Sequence, residues 1–190
     1  MGFLKRLLPA AAQSQGFIYS LPSGYSEWGG TLRTAGPYNG ITFNSDTAYG
    51  YSITLAGSSG SNTSYITGTQ GYSSGSYYFE VYIESINPYN TIMLGITNGL
   101  TNSWDDSQTY VYYGSNGQKY NSGSPAGGYG STYTTGDVIS VLFSNGSLAF
   151  YKNGSSQGTA FTSISGTFYP SFSEAYYGYT CSARFSDTTP

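Results

Sequence analysis

An all-β fold, two antiparallel sheets packed face to face as a sandwich with a short N-terminal extension, is what this 190-residue sequence predicts. Three observations predict it. Asn-Gly pairs stand between β-branched and aromatic runs at Asn145-Gly146 and Asn153-Gly154, and such pairs supply the positive φ that both central positions of a type I′ hairpin turn require. Apolar and polar residues alternate at period two, as in Phe79, Val81 and Ile83 against Glu80, Tyr82 and Glu84. No segment after the first fifteen residues carries an apolar helical period of core length.

In chain order, residues 1–15 differ from the rest. Phe3, Leu4, Leu7 and Leu8 would share one helix face with Lys5 and Arg6 on another, and Pro9 stops the turn. The segment reads as a docking peptide, with a secretory signal, a membrane-surface foot and a loose tail as the other readings; a signal needs a longer apolar stretch than residues 7–12 offer. Residues 16–37 form a lead-in of aromatic anchors, Phe17, Tyr19, Tyr25 and Trp28 among them, separated by Gly and Pro turns. Trp28 reads as packed against the sandwich.

The sandwich itself is expected over residues 38–190. Strands are expected at 40–43, 49–55, 64–66, 77–86, 91–97 and 110–113, the 91–97 run being apolar enough for burial on both sides. Asn98-Gly99 and Asn116-Gly117 are expected turns, and 123–131 an expected glycine-rich loop. A meander of three strands over 138–161 follows, and strands near 168–173 and 179–185 close the fold. No fixed-period repeat indicates a solenoid or propeller.

Composition narrows the function. Charged residues are 8% of the chain and aromatics 18%, with 22 Tyr and a net charge of −3. No basic patch is visible, so nucleic acid is not an expected partner. The absence of His removes the commonest general base and metal ligand. No apolar run of spanning length exists. Cys181 has no internal partner and reads as a buried thiol in a strand.

The carboxylates do not assemble a recognisable site. Asp105-Asp106 spells out no calcium loop, and Glu80 and Glu84 lie ~13 Å apart on one strand face, at ~3.3 Å per residue, too far for a glycosidase pair. Asp137 reads as a turn residue opening a strand. No catalytic residue, metal or cofactor is expected. The loops are rich in Tyr, Ser, Gly and Asn, a composition suited to binding surfaces, because Tyr offers rigid area with a polar tip. The candidate surface is Trp104, Asp105, Asp106, Tyr110, Tyr129, Tyr133, Tyr176, Tyr177 and Tyr179.

Four segments in order resemble the SPRY domain family: Gly75-Ser76-Tyr77-Tyr78-Phe79-Glu80-Val81; Tyr112-Tyr113-Gly114 through Lys119-Tyr120; Thr134-Thr135-Gly136-Asp137-Val138-Ile139 running into Leu148-Ala149-Phe150-Tyr151-Lys152-Asn153-Gly154; and Phe168-Tyr169-Pro170-Ser171. They depart from the family pattern at Leu142, where an acidic residue is usual, and near Tyr112, where a Trp is. The resemblance implies a concanavalin A-like sandwich that binds proteins through its loops without catalysis. Within the family, the bare sandwich and low charge resemble the SPRY-type proteins of bacteriophages. That likeness implies a capsid decoration or fibre protein on the virion surface, anchored to capsid or tail proteins through residues 1–15, with self-association or a host glycan or protein as further contacts. A secreted, lectin-like or receptor-binding module is the alternative.

Overall fold

The computed structural model describes residues 33–34, 41–47, 50–56, 64–67, 71–86, 88–98, 108–174 and 180–186; in 33–66 and 180–186 it describes the backbone alone. Fourteen strands run through them: β1 (Arg33–Thr34), β2 (Ile41–Thr47), β3 (Gly50–Ala56), β4 (Ser64–Thr67), β5 (Ser76–Ser85), β6 (Ile92–Thr97), β7 (Thr109–Tyr113), β8 (Gln118–Asn121), β9 (Ser124–Gly128), β10 (Val138–Ser144), β11 (Ser147–Lys152), β12 (Ser155–Phe161), β13 (Tyr169–Glu174) and β14 (Thr180–Ser186). One sheet has the order β1-β4-β13-β6-β7-β8-β9 and the other β12-β11-β10-β5-β14-β3-β2. All the strand pairs are antiparallel, and among the described residues there is no helix. The expected two-sheet all-β architecture is the one the chain adopts.

The meander forms as its turns dictate. Asn145 and Gly146 have φ of 47° and 77°, and Asn153 and Gly154 have φ of 48° and 77°, the left-handed values that match the twist of the flanking strands. Gly146 is held to glycine twice over. Beyond its φ, a Cβ there would stand 2.7 Å from the carbonyl oxygen of Ile164, and the Ile164 N–H donates to the Gly146 carbonyl at 2.9 Å. Asn116-Gly117 departs from the hairpin expectation. Only Gly117 has positive φ, 69°, and its N–H closes a wider turn on the Tyr113 carbonyl at 3.1 Å.

Alternation decides what enters the core. In β5, Phe79, Val81 and Ile83 are buried and join the core cluster with Ile92, Leu94 and Ile96 of β6, Ile139, Val141 and Phe143 of β10, Leu148 and Phe150 of β11 and Phe172 of β13. The cluster thus draws on both sheets, and each fully buried Phe or Ile contributes roughly 1.5–3 kcal/mol relative to exposure. All six residues of β6 are buried, as the apolar run at 91–97 implied. The segment read as a glycine-rich loop at 123–131 contains a strand, β9, at the sheet edge, every residue of it exposed. Composition hid it because an edge strand packs no side chain into the core, so nothing demands apolar periodicity.

The registers sort the connections to two ends of the sandwich. The turn at 145–146, the loop at 162–168 and the turn at 122–123 lie at one end. Residues 88–91, 114–117, 129–137 and the turn at 153–154 gather at the other.

Candidate functional site

The second of these ends is the candidate site, because its loops come from both sheets and are fastened to each other. Asp137 is the centre. Thr134-Thr135-Gly136-Asp137 is a tight turn in which Gly136 takes φ of 90°, and the Thr134 N–H donates to Asp137 Oδ2 at 2.8 Å. Asn153 Nδ2 donates to Asp137 Oδ1 at 2.7 Å, and the Val138 N–H donates to Asn153 Oδ1 at 2.8 Å. Lys152 Nζ stands 3.1 Å from Asp137 Oδ2 and donates to the Thr132 carbonyl at 2.7 Å. Burial alone would raise the Asp137 pKa. The Thr134 N–H, the Asn153 amide and the Lys152 ammonium outweigh it and hold the carboxyl below the ordinary aspartate value.

The same end is tied to the first sheet through Tyr133. Its ring is 1% exposed and packs edge-on against Tyr112 at 5.0 Å. Its hydroxyl lies 2.7 Å from the Tyr112 carbonyl and 3.1 Å from the Ile92 carbonyl, to one of which it donates. Asn90 Nδ2 donates to the Tyr133 carbonyl at 2.6 Å. A side chain at Gly114 would meet Asn90 Oδ1 at 2.8 Å and the Tyr133 ring at 3.0 Å, so glycine lets the three loops close up. Above this fastened base, Tyr89, Asn116, Ser131, Thr132, Thr134 and Thr135 are exposed, Tyr89 at 52%.

A second set of contacts braces the flank. Lys119 on β8 reaches across to the other sheet, donating to the Ala160 carbonyl at 2.5 Å, with its ammonium 5.2 Å from the Phe161 ring centroid. The Tyr129 hydroxyl donates to the Gly158 carbonyl and accepts from the Phe150 N–H at 3.1 Å. Gln157 Oε1 accepts from the Ser131 N–H at 2.9 Å. The 129–137 loop is therefore anchored along its length, and its surface is preorganised rather than mobile in shape.

These placements revise the candidate surface. Tyr133 is a core residue, because its hydroxyl finds backbone carbonyls inside the fold, and it presents no ring outward. Tyr129 is half-buried, its pKa raised by burial against the opposing bond from Phe150. Tyr110 packs against Phe161 at 5.1 Å and Phe168 at 5.7 Å. Trp104, Asp105, Asp106, Tyr176, Tyr177 and Tyr179 lie outside the described residues, as do Phe3, Leu4, Leu7 and Leu8. The described residues flanking the two loop groups are at opposite ends: Asn98 and Gln108, joined by a backbone bond of 3.3 Å, at the Gly146 end, and Glu174 and Thr180 at the Asp137 end. Sequence reasoning passed over Lys152, Asn153 and Asn90. The β10–β11 register is what pairs Lys152 and Asn153 with Asp137, and Asn90 bonds instead to Tyr133, 43 residues along the chain.

Among the described residues no three His, Cys, Asp or Glu side chains gather closely enough to hold a metal ion. Glu80 accepts from the Tyr78 hydroxyl and from Ser140 Oγ at 2.9 Å, and buried Glu174 accepts from Thr91 Oγ1 at 3.0 Å.

The SPRY domain profile matches residues 76–188. This chain belongs to the SPRY domain family. Its relatives include a Ran-binding proteins 9/10 homolog of Drosophila melanogaster, 39% identical over 106 residues, 52% of this chain and 11% of that protein. Ran-binding protein 9 of Homo sapiens is 37% identical over 103 residues, 50% of this chain and 14% of that protein. The chain thus spans a small part of the length of these SPRY relatives. The SPRY domain of human HERC1 superposes with a TM-score of 0.63 at 23% identity, covering 73% of this chain and 89% of that one. A second human SPRY domain gives 0.60 at 20%, covering 80% and 97%. At these identities the two structures speak for the fold alone.

The relatives correct two expectations. They are Ran-binding proteins of animals, so a bacteriophage decoration or fibre protein and a virion-surface location are overturned. The physical reason is plain: a low-charge Ser/Gly/Tyr/Asn surface is one way to clothe a β-sandwich, and it does not report where the sandwich works.

Proposed function

We propose that this chain is a non-enzymatic protein-binding module whose contact surface is the loop platform at the Asp137 end. The observation that carries the reading is the fastening of that platform: loops from both sheets are joined by the Asp137–Lys152–Asn153 network and by Asn90, Tyr133 and Gly114. A surface ordered before contact loses little conformational entropy on binding, and Tyr89 with the surrounding hydroxyls and amides suits a polar protein surface. The Ran-binding relatives support the class of partner, and Ran itself is the first purified protein to try. Catalysis is disfavoured by the lack of His and by carboxylates that are already engaged.

The test is a titration of a purified partner, Ran or a protein captured with the full chain, against three proteins. These are the native chain, a platform variant carrying Tyr89→Ala and Thr135→Lys, and a control, Thr162→Lys, whose exposed residue lies at the other end. The platform variant is expected to bind at least tenfold more weakly, a change of about 1.4 kcal/mol, with the control unchanged. Weakening by Thr162→Lys alone would place the contact elsewhere.

A further inference from the structure

The outer face of the sheet that holds β5 carries a carboxylate with tyrosines on three sides. In β5, Phe79, Val81 and Ile83 point into the core, so alternation turns Tyr78, Glu80 and Tyr82 outward. In β10 and β11 the core residues are Ile139, Val141, Leu148 and Phe150, which places Ser140, Leu142 and Tyr151 on that same outer face. Ser140 stands opposite Glu80 on one side and opposite Tyr151 on the other. Glu80 and Tyr151 are thus two strands apart, about 10 Å at ~4.8 Å per strand, and Tyr78 and Tyr82 flank Glu80 along β5 at about 7 Å each. Ser140 is the smallest side chain of its row, so the floor between Glu80 and Tyr151 is low. Tyr78, Glu80, Tyr82 and Tyr151 are each partly exposed.

What these groups lack is a cation. The Tyr78 hydroxyl and Ser140 Oγ, the latter at 2.9 Å, both donate to Oε1 of Glu80, and no described residue donates to Oε2. The cations among the described side chains are Lys119 and Lys152, and both are engaged elsewhere. Lys119 donates to the Ala160 carbonyl, and Lys152 serves Asp137 and Thr132. Asp137 therefore has its lysine, whereas Glu80 has hydroxyls alone. The rings are uncommitted as well. Tyr72 stacks on Tyr77 at 3.8 Å and Tyr113 meets Tyr120 at 5.6 Å, but Tyr78, Tyr82 and Tyr151 meet no aromatic ring among the described residues. A carboxylate beside bare tyrosine faces suits an organic cation, since the ring face and the anion attract the same charge.

We propose that this face is a second contact surface, separate from the Asp137 platform, and that it takes an arginine side chain of a partner protein. A guanidinium is planar and always charged, so it can lie on a tyrosine ring while its N–H groups reach Glu80 Oε2. It is also more weakly hydrated than an ammonium and loses less on leaving water for a partly buried surface. Charge complementarity extends past Glu80, because Glu84 follows on the same face of β5 and the whole chain carries −3. The competing occupant is the chain's own Arg184, which stands opposite Tyr82 in the β14–β5 register; the position opposite Glu80 belongs to Ser186. The platform is built of loops at one end of the sandwich and this surface of strands on its side, so each can be altered without the other.

Amide chemical shifts of the full chain test the contact. The probe is a short blocked peptide with one arginine between Gly and Ser residues, and its citrulline counterpart has the same shape without the charge. The arginine peptide is expected to shift the amides of residues 78–82, 140–142 and 149–151 saturably, with a Kd of roughly 1 mM, and the citrulline peptide to bind at least about fivefold more weakly. Glu80→Gln keeps an oxygen for Tyr78 and Ser140 and should weaken the arginine peptide by at least about fivefold; Tyr82→Leu and Tyr151→Leu should each weaken it by about threefold or more. Slow amide exchange in β6, in the other sheet, checks that each variant is folded, and the two leucine variants decide should Glu80→Gln fail that check. The platform variant with Tyr89→Ala and Thr135→Lys should bind the peptide as the native chain does. An equal response to the two peptides, shifts confined to the surroundings of Tyr89 and Thr135, or a Kd unchanged in folded Glu80→Gln overturns the proposal. So does binding that appears only in Arg184→Gln, which would mean that the chain fills the site with its own arginine.

Discussion

Replacing Asp137 with Asn should destabilise the protein by about 2–3 kcal/mol near neutral pH, and by progressively less in acid. The structure fixes how the amide must sit. With its oxygen toward the Thr134 N–H and Lys152, its NH2 faces Asn153 Nδ2, donor against donor across 2.7 Å. Asn153 cannot turn over to help, because its Oδ1 already accepts from the Val138 N–H at 2.8 Å. The least costly arrangement therefore loses one bond to a charged acceptor, roughly 1.5–3 kcal/mol, and an ion pair whose lysine is 25% exposed, about 0.2–1 kcal/mol. Reversing the amide loses more. The sign with pH follows from the depressed pKa of Asp137. A carboxyl that is more acidic folded than unfolded stabilises the fold above its unfolded pKa, near 3.9, and that contribution fades as pH falls through the folded value. Urea denaturation of both proteins from pH 7 to pH 3 reads the difference directly. The gap should be widest near pH 7 and narrow below about pH 4. A variant equal in stability at pH 7, or a gap that does not change with pH, would refute the account of Asp137 as an ionised hub.

Three further outcomes follow from the same geometry. Tyr133→Phe should cost about 1 kcal/mol, the worth of one buried hydrogen bond, and Tyr133→Ala about 3–5 kcal/mol through the cavity it leaves, both measured by chemical denaturation; equal costs would mean the ring packs loosely. Lys119→Met keeps the aliphatic stem but removes the ammonium from the Phe161 ring and from the Ala160 carbonyl, for an expected loss of about 1 kcal/mol and faster amide exchange in β12. Burial pushes the Tyr112 hydroxyl up to about 12, so the folded state holds a proton that the unfolded chain gives up near pH 10; stability should decline between pH 10 and 12, and the decline should flatten in Tyr112→Phe.

Much of the fold is written locally. Asn145-Gly146 and Asn153-Gly154 specify their turns through backbone conformations that few other dipeptides tolerate, and the alternation in β5 assigns each side chain to a face with no knowledge of the partner strand. The all-β class and the SPRY resemblance rest on such signals, and the family match agrees with them. Strand β9 escaped because an edge strand of Ser, Pro, Ala and Gly has no face to bury.

The candidate site is a different matter, since its pieces are local in nothing. By itself the sequence determined the hairpins and the strand faces. Only the tertiary structure decided that Tyr133 is an internal brace rather than a surface ring, because its hydroxyl meets carbonyls of β6 and β7. It also decided that Asp137, Lys152 and Asn153 form one network with a loop from the opposite sheet close beside it. Burial and partnership depend on which strands the registers bring together, and those pairings are made by distances in space that no short window of sequence contains.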